Sequence, residues 1–161
     1  MIAQESTTDT LALAVALGLL AGMRSATAPA TLSAALAHGD APHRDDPLVA
    51  LAIRLRPLLM VFAAAELAAD KLPSVPNRTS PPALVGRVTL GAASGALAAR
   101  AYGGSVVVAA LLAGAAAFAA TFASFQMRRL TSERGGLSST AAGLLEDAAV
   151  LAAASALARR G

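Results

Sequence analysis

Five apolar runs, at about 11–37, 48–72, 83–101, 105–127 and 137–158, fill most of this 161-residue chain and leave it few ways to fold. A helix rises about 1.5 Å per residue, so about 20 apolar residues cross the hydrocarbon of a bilayer. The pattern predicts an all-α fold: a polytopic membrane helix bundle of about five transmembrane helices. It forms a single domain over 1–161, with a polar tail at 1–9 and polar loops at 38–47 and 73–82. Charged residues are 14% of the chain, against about 25% in a usual soluble domain. Hydrophobic residues are 56% but aromatics only 3%, fewer than a water-soluble core of this size normally uses. An Ala-, Gly- and Leu-rich chain suits closely packed transmembrane helices, because small residues let backbones approach. A soluble Ala-rich bundle is the alternative.

The net charge of +3 points to anionic lipid headgroups beside the helix ends. No basic patch interleaved with aromatics suggests nucleic acid. There is no Cys, which excludes disulfides, thiolate metal sites and Cys catalysis. Leu11–Leu20 could serve as a secretory h-region ahead of Ala26-Thr27-Ala28, but the leader carries Glu5 and Asp9 and lacks Lys and Arg. The segment therefore reads as a retained span.

In that first run Gly18 and Gly22 form a small-xxx-small face, and Gly91 and Gly95 form another in the third run. Both faces are expected to pack helices, including those of a second copy in a homo-oligomer. Arg24 and Pro29 interrupt the first run. One kinked span is expected; a re-entrant pair of half-helices broken at Gly22–Pro29 is the alternative. Tyr102-Gly103-Gly104 reads as a tight turn and 128–136 as a polar hairpin. Runs one and two cross in the opposite sense to runs four and five, a pattern that suits a weak inverted repeat. Chance likeness among Ala-rich helices would look the same.

Charges inside apolar runs are the candidate site, since an unpaired charge at mid-bilayer costs about 2.5–3.5 kcal/mol or more. Glu66 and Asp70 lie one helical turn apart and share a face, with Lys71 beside them. Counted from the face that bears 73–82, Glu66 lies about 9 Å and Arg87 about 6 Å deep, which suggests an outer layer of Glu66, Asp70 and Arg87. Arg24 is about 20 Å along the first run and Glu146 about 14 Å along the fifth, which suggests an inner pair, with Asp147 adjacent. Such a site would suit a proton, a cation or a small anion; static glue between helices is the other reading. No cofactor or metal is implied. His38 and His43, with Asp40, Asp45 and Asp46, read as a solvated loop. Ser25, Thr27 and Ser33 have no paired His, and no phosphate-binding glycine spacing occurs, so the chain does not read as an enzyme.

Gly22-Met23-Arg24, followed by Glu66-x-x-x-Asp70-Lys71-x-Pro73 and a Gly-rich third run, resembles an uncharacterised bacterial membrane family, domain of unknown function 4126. The resemblance covers about 11–158. It implies a small multi-pass protein of the bacterial inner membrane with no assigned activity, in which Gly22, Arg24, Glu66, Asp70, Lys71 and Pro73 match the pattern. The functional expectation is a small transporter or channel-like protein that uses these carboxylates and Arg24. The alternative is a non-transporting membrane scaffold or lipid-binding assembly protein.

Overall fold

The computed structural model describes residues 2–69, 80–134 and 139–159. Six helices account for nearly all of them: α1 (Ile2–Met23), α2 (Thr27–His38), α3 (Pro47–Ala69), α4 (Pro81–Tyr102), α5 (Val106–Arg134) and α6 (Ser139–Ala158). No strand occurs among the described residues. Three segments are long and apolar enough to cross a membrane: Pro47–Ala69, Pro81–Tyr102 and Val106–Met127.

The first apolar run is two helices rather than one kinked span. α1 stops at Met23, Arg24–Ala26 turn, and α2 starts at Thr27. Pro29 fixes the place: its ring would clash with the Ser25 carbonyl, and it has no N–H to offer that oxygen. The chain also reverses here. Thr7 and Thr10 of α1 lie beside Gly104, while α2 leads into a loop where the His43 N–H donates to the Ala101 carbonyl at 3.1 Å. Both ends of the α1–α2 hairpin therefore sit at one end of the bundle, next to the α4–α5 turn. The half-helix pair is the arrangement found, with its break at 24–26.

Two other boundaries differ from the sequence reading. α1 begins at Ile2, so residues 2–9 are helical. α5 runs on to Arg134, which makes 128–134 helix rather than hairpin. Pro57 lies in the middle of α3, where the Ile53 carbonyl loses its helical donor. The Tyr102-Gly103-Gly104 turn is as expected: Gly103 and Gly104 have φ of 91° and 114°, a region that residues with a Cβ rarely enter.

α1, α4 and α5 form the tightest part of the bundle, and α2 packs between α3 and α6. α4 runs antiparallel to α1 and α5. The close approach rests on glycine against alanine. Ala109, Ala113 and Ala117 of α5 are fully buried. A methyl group on Gly18 would strike the Ala113 carbonyl, and one on Gly22 the Ala117 carbonyl. At Gly95 it would lie 2.6 Å from the Ala109 oxygen, and at Gly91 2.8 Å from the Ala117 Cβ. The Gly18/Gly22 and Gly91/Gly95 faces are thus spent on α5 within the chain; they are not open surfaces for a second copy. The outer helices carry large exposed apolar side chains, among them Leu51, Val61 and Phe62 on α3 and Leu145 and Leu151 on α6.

Asp46 fastens the start of α3. Its Oδ1 accepts from the Leu48 N–H at 2.9 Å and the Val49 N–H at 3.4 Å, an N-cap ahead of Pro47. Its Oδ2 accepts from Arg100 Nε at 3.0 Å and Nη2 at 2.6 Å, at the last turn of α4. The Arg100 guanidinium, helped by the two amides, holds the Asp46 carboxyl below its ordinary range.

Two outcomes are expected. Gly95→Ala destabilises by about 1–3 kcal/mol through overpacking. Gly86→Ala, at a position with open space around it, is neutral or stabilising by up to about 1 kcal/mol. Denaturant unfolding in detergent micelles measures both. Because the folded carboxyl of Asp46 binds its proton less readily than the unfolded one, its contribution is present above the ordinary aspartate range. It is lost as pH falls through the depressed folded value. Asp46→Asn keeps a capping oxygen but no charge, so its melting temperature should fall less steeply than wild type between about pH 5 and pH 2.

Candidate functional site

Breaking a helix leaves unsatisfied carbonyls at one new end and unsatisfied amides at the other. At the Met23–Thr27 break each set is met by a side chain from a distant helix. The Gly22 carbonyl, in the last turn of α1, accepts from Arg87 Nη1 of α4 at 2.9 Å and from Thr121 Oγ1 of α5 at 3.1 Å. The Thr121 hydroxyl is shared with its own Ala117 carbonyl at 2.8 Å. A cation at a helix C-terminus is also the sign that the backbone dipole prefers.

The start of α2 is the mirror case. Its N-cap position holds Ala26, which has no capping atom of its own. Glu66 of α3 supplies the acceptors instead. Oε1 accepts from the Ser25 N–H at 2.8 Å and the Ser25 hydroxyl at 2.6 Å, and Oε2 accepts from the Ala26 N–H at 2.7 Å. A carboxylate at a helix N-terminus answers both the orphan amides and the positive end of the dipole.

Between these two ends lies Arg24. It is 1% exposed, and its Nη2 forms an ion pair with Asp147 Oδ1 of α6, which is itself buried. Four helices besides the hairpin thus place a polar group at its tip: Glu66 on α3, Arg87 on α4, Thr121 on α5 and Asp147 on α6. The tip is also where the apolar core is interrupted, since Arg24 is the bulkiest fully buried side chain.

Arg24, Glu66, Arg87 and Asp147 converge as charges stranded in apolar runs should. Their grouping differs from the sequence reading. The two layers merge into one because the chain turns at Arg24, which brings it level with Glu66 instead of deeper. Arg24 meets Asp147; Glu146 is next to it on α6, and the side chain of Glu146 lies outside the described residues. Asp70 and Lys71 lie outside the described residues, as does Pro73. Ser25 and Thr121 were missed as site residues. Thr121 had a signal, since it is a polar side chain deep in an otherwise apolar stretch of the fourth run.

A cleft of about 470 Å³ opens between α2, α3 and α4. Pro29, Leu59, Phe62 and Leu90 give it apolar walls, and Glu66 and Ser25 lie at its polar end. Among the described residues no group of three or more His, Asp or Glu is placed to hold a metal ion. No family model, curated protein or solved structure matches the chain.

The Arg24–Asp147 pair is expected to behave as one unit. Arg24→Met or Asp147→Leu alone should cost about 3–5 kcal/mol, because each leaves the other charge buried. The double variant should recover most of that loss. A double-mutant cycle of unfolding free energies in micelles measures the coupling, and simple additivity would show that the two charges do not depend on each other.

Proposed function

We propose that this chain is an integral membrane protein of four crossings, α3 to α6, with the α1–α2 hairpin dipping in from one face. We further propose that it serves as a non-transporting scaffold or lipid-binding assembly protein rather than as a conduit. One observation carries the second point: the charges at the hairpin tip are engaged by fixed protein groups. Arg24 has Asp147, Glu66 has the Ser25 and Ala26 amides, and Arg87 has the Gly22 carbonyl. A conduction path needs charges that exchange partners with water or an ion. The walls of the neighbouring cleft are apolar, which fits an acyl chain or a partner helix better than an aqueous solute.

Support for the membrane reading comes from the three long apolar helices and the large apolar side chains on the outer faces of α3, α5 and α6. Membership in the domain of unknown function 4126 family, and with it the bacterial inner membrane, belongs to the same proposal and rests on the Gly22-Met23-Arg24 and Glu66-x-x-x-Asp70-Lys71-x-Pro73 patterns. Transport by a proton, cation or small anion is the second reading. It is favoured by the break itself, since paired half-helix ends near the midplane are how many secondary transporters build a site.

Reconstitution into liposomes separates the two. Proton, cation and small-anion fluxes are expected to equal those of empty vesicles. A flux that vanishes in Glu66→Gln, at unchanged folded yield, would replace the scaffold with a transporter. The crossing number has its own check, made simple by the absence of native Cys. Thr7→Cys and Asp45→Cys should react with a membrane-impermeant thiol reagent from the same face, and Arg129→Cys from the opposite one. Labelling of Thr7→Cys together with Arg129→Cys would instead restore five crossings.

A further inference from the structure

Glu66 differs from the other charges at the hairpin tip. Arg24 meets the carboxylate of Asp147, and Arg87 lies at the negative end of a helix. Among the described residues Glu66 is met by neutral donors only: the Ser25 and Ala26 amides and the Ser25 hydroxyl. No Lys, Arg or His among them comes within ion-pair distance of it. Nor is Glu66 sealed. It is half-buried and lines the cleft of about 470 Å³ between α2, α3 and α4, and half-buried Ser25 lines the same cleft.

The bonds fix what this pair still offers. A carboxylate has about four acceptor positions, and Glu66 uses two on Oε1 and one on Oε2. Oε2 therefore keeps one. The Ser25 hydroxyl spends its hydrogen on Oε1 at 2.6 Å, which leaves its oxygen as a second acceptor beside the first. No other side chain lining the cleft has a hydrogen to donate. The occupant must therefore bring both N–H groups and positive charge. The walls set the rest of it: Pro29, Leu59, Phe62 and Leu90 offer no polar side-chain atom, so its body is apolar. A bare divalent cation would find two oxygens and hydrocarbon where it takes about six oxygen ligands. A fatty acid would bring a second carboxylate to Glu66, and like charges repel. The volume lies within the roughly 300–1,000 Å³ of small-molecule sites.

We propose that this cleft binds an amphipathic amine. Its primary or secondary ammonium donates to Glu66 Oε2 and Ser25 Oγ, and its apolar body packs against Leu59, Phe62 and Leu90. Hydrogen bonds from an ammonium to a carboxylate are short and strong, and the apolar walls keep water from competing for them. The inference deepens the lipid-binding side of the proposed function by giving the cleft a ligand class. It rests on that reading only for the bilayer as the route of entry.

Thermal melting of the full chain in a non-ionic detergent, titrated with probes of one shape, decides it. Adamantylamine should raise the melting temperature saturably. Its trimethylammonium analogue has the charge without an N–H, adamantanol has neither charge nor N–H, and adamantane carboxylate has the wrong sign. Each should need at least about tenfold more ligand for the same rise. Glu66→Gln keeps an oxygen for the amides but no charge, and should move the adamantylamine midpoint up at least about tenfold. Because Glu66 also holds the start of α2, a second variant leaves its bonds alone. Leu90→Trp narrows the cleft from an exposed position and should abolish the response with circular dichroism unchanged. No rise with adamantylamine, an equal rise with the alcohol or the carboxylate, or an undiminished rise in Leu90→Trp overturns the site. The liposome fluxes report separately. A Glu66-dependent flux replaces the scaffold and leaves an amine response standing; tight vesicles with no amine response keep the scaffold and remove the site.

Discussion

The fold depends on how a broken backbone is made tolerable inside an apolar bundle. The turn at Arg24–Ala26 exposes carbonyls on one side and amides on the other, and in an environment poor in water such groups cost several kcal/mol each when unmet. The chain answers with charges of matching sign. Arg87 and Thr121 take the carbonyl side through Gly22, and Glu66 takes the amide side through Ser25 and Ala26. The remaining cation, Arg24, takes Asp147. Each contact comes from a different helix, so the break pins α3, α4, α5 and α6 to one point. What looks in sequence like a scatter of costly charges is, in space, the fastening of an otherwise featureless apolar assembly.

That fastening needs proximity, and the small residues provide it. Thr121 reaches the Gly22 carbonyl because Gly22 lies against the α5 backbone at Ala117 with no room for a methyl group. The Gly91 and Gly95 contacts seat α4 on the same ridge of Ala109, Ala113 and Ala117. Dispersion and close backbone approach, rather than large interlocking side chains, hold these helices together. This explains how a chain with so few aromatics packs a core that leaves Leu17, Leu20, Leu32, Leu36 and Val150 essentially inaccessible.

Much of this was legible in the sequence, unevenly. The helical class, the glycine faces and the need of stranded charges for partners follow from apolar runs, small-residue spacing and the cost of burying charge; the gathering of Arg24, Glu66, Arg87 and Asp147 at one point, rather than in two layers, does not. What the glycine faces pack against was not legible, because periodicity marks a face and not its partner; α5 claims them. Nor was the ion pair of Arg24 with Asp147 singled out, since two neighbouring acids on one helix look alike in sequence. The most consequential ambiguity was Pro29. A proline in an apolar run can kink a helix or end it, and only the supply of cross-chain partners for Gly22, Ser25 and Ala26 makes ending it tolerable. Those partners lie 40 to 99 residues away.

The Arg24–Asp147 pair joins positions 123 residues apart, nearly the two extremes of the chain. During synthesis the guanidinium emerges first and its carboxylate last. The contacts of the opening hairpin with α3, α4 and α5 involve segments made before α6, so the Arg24–Asp147 ion pair is the last of its fastenings to form. Assembly is thus sealed from the back: a chain cut short before α6 would keep the seat of α1 on α5 and lose the counter-charge that Asp147 gives Arg24.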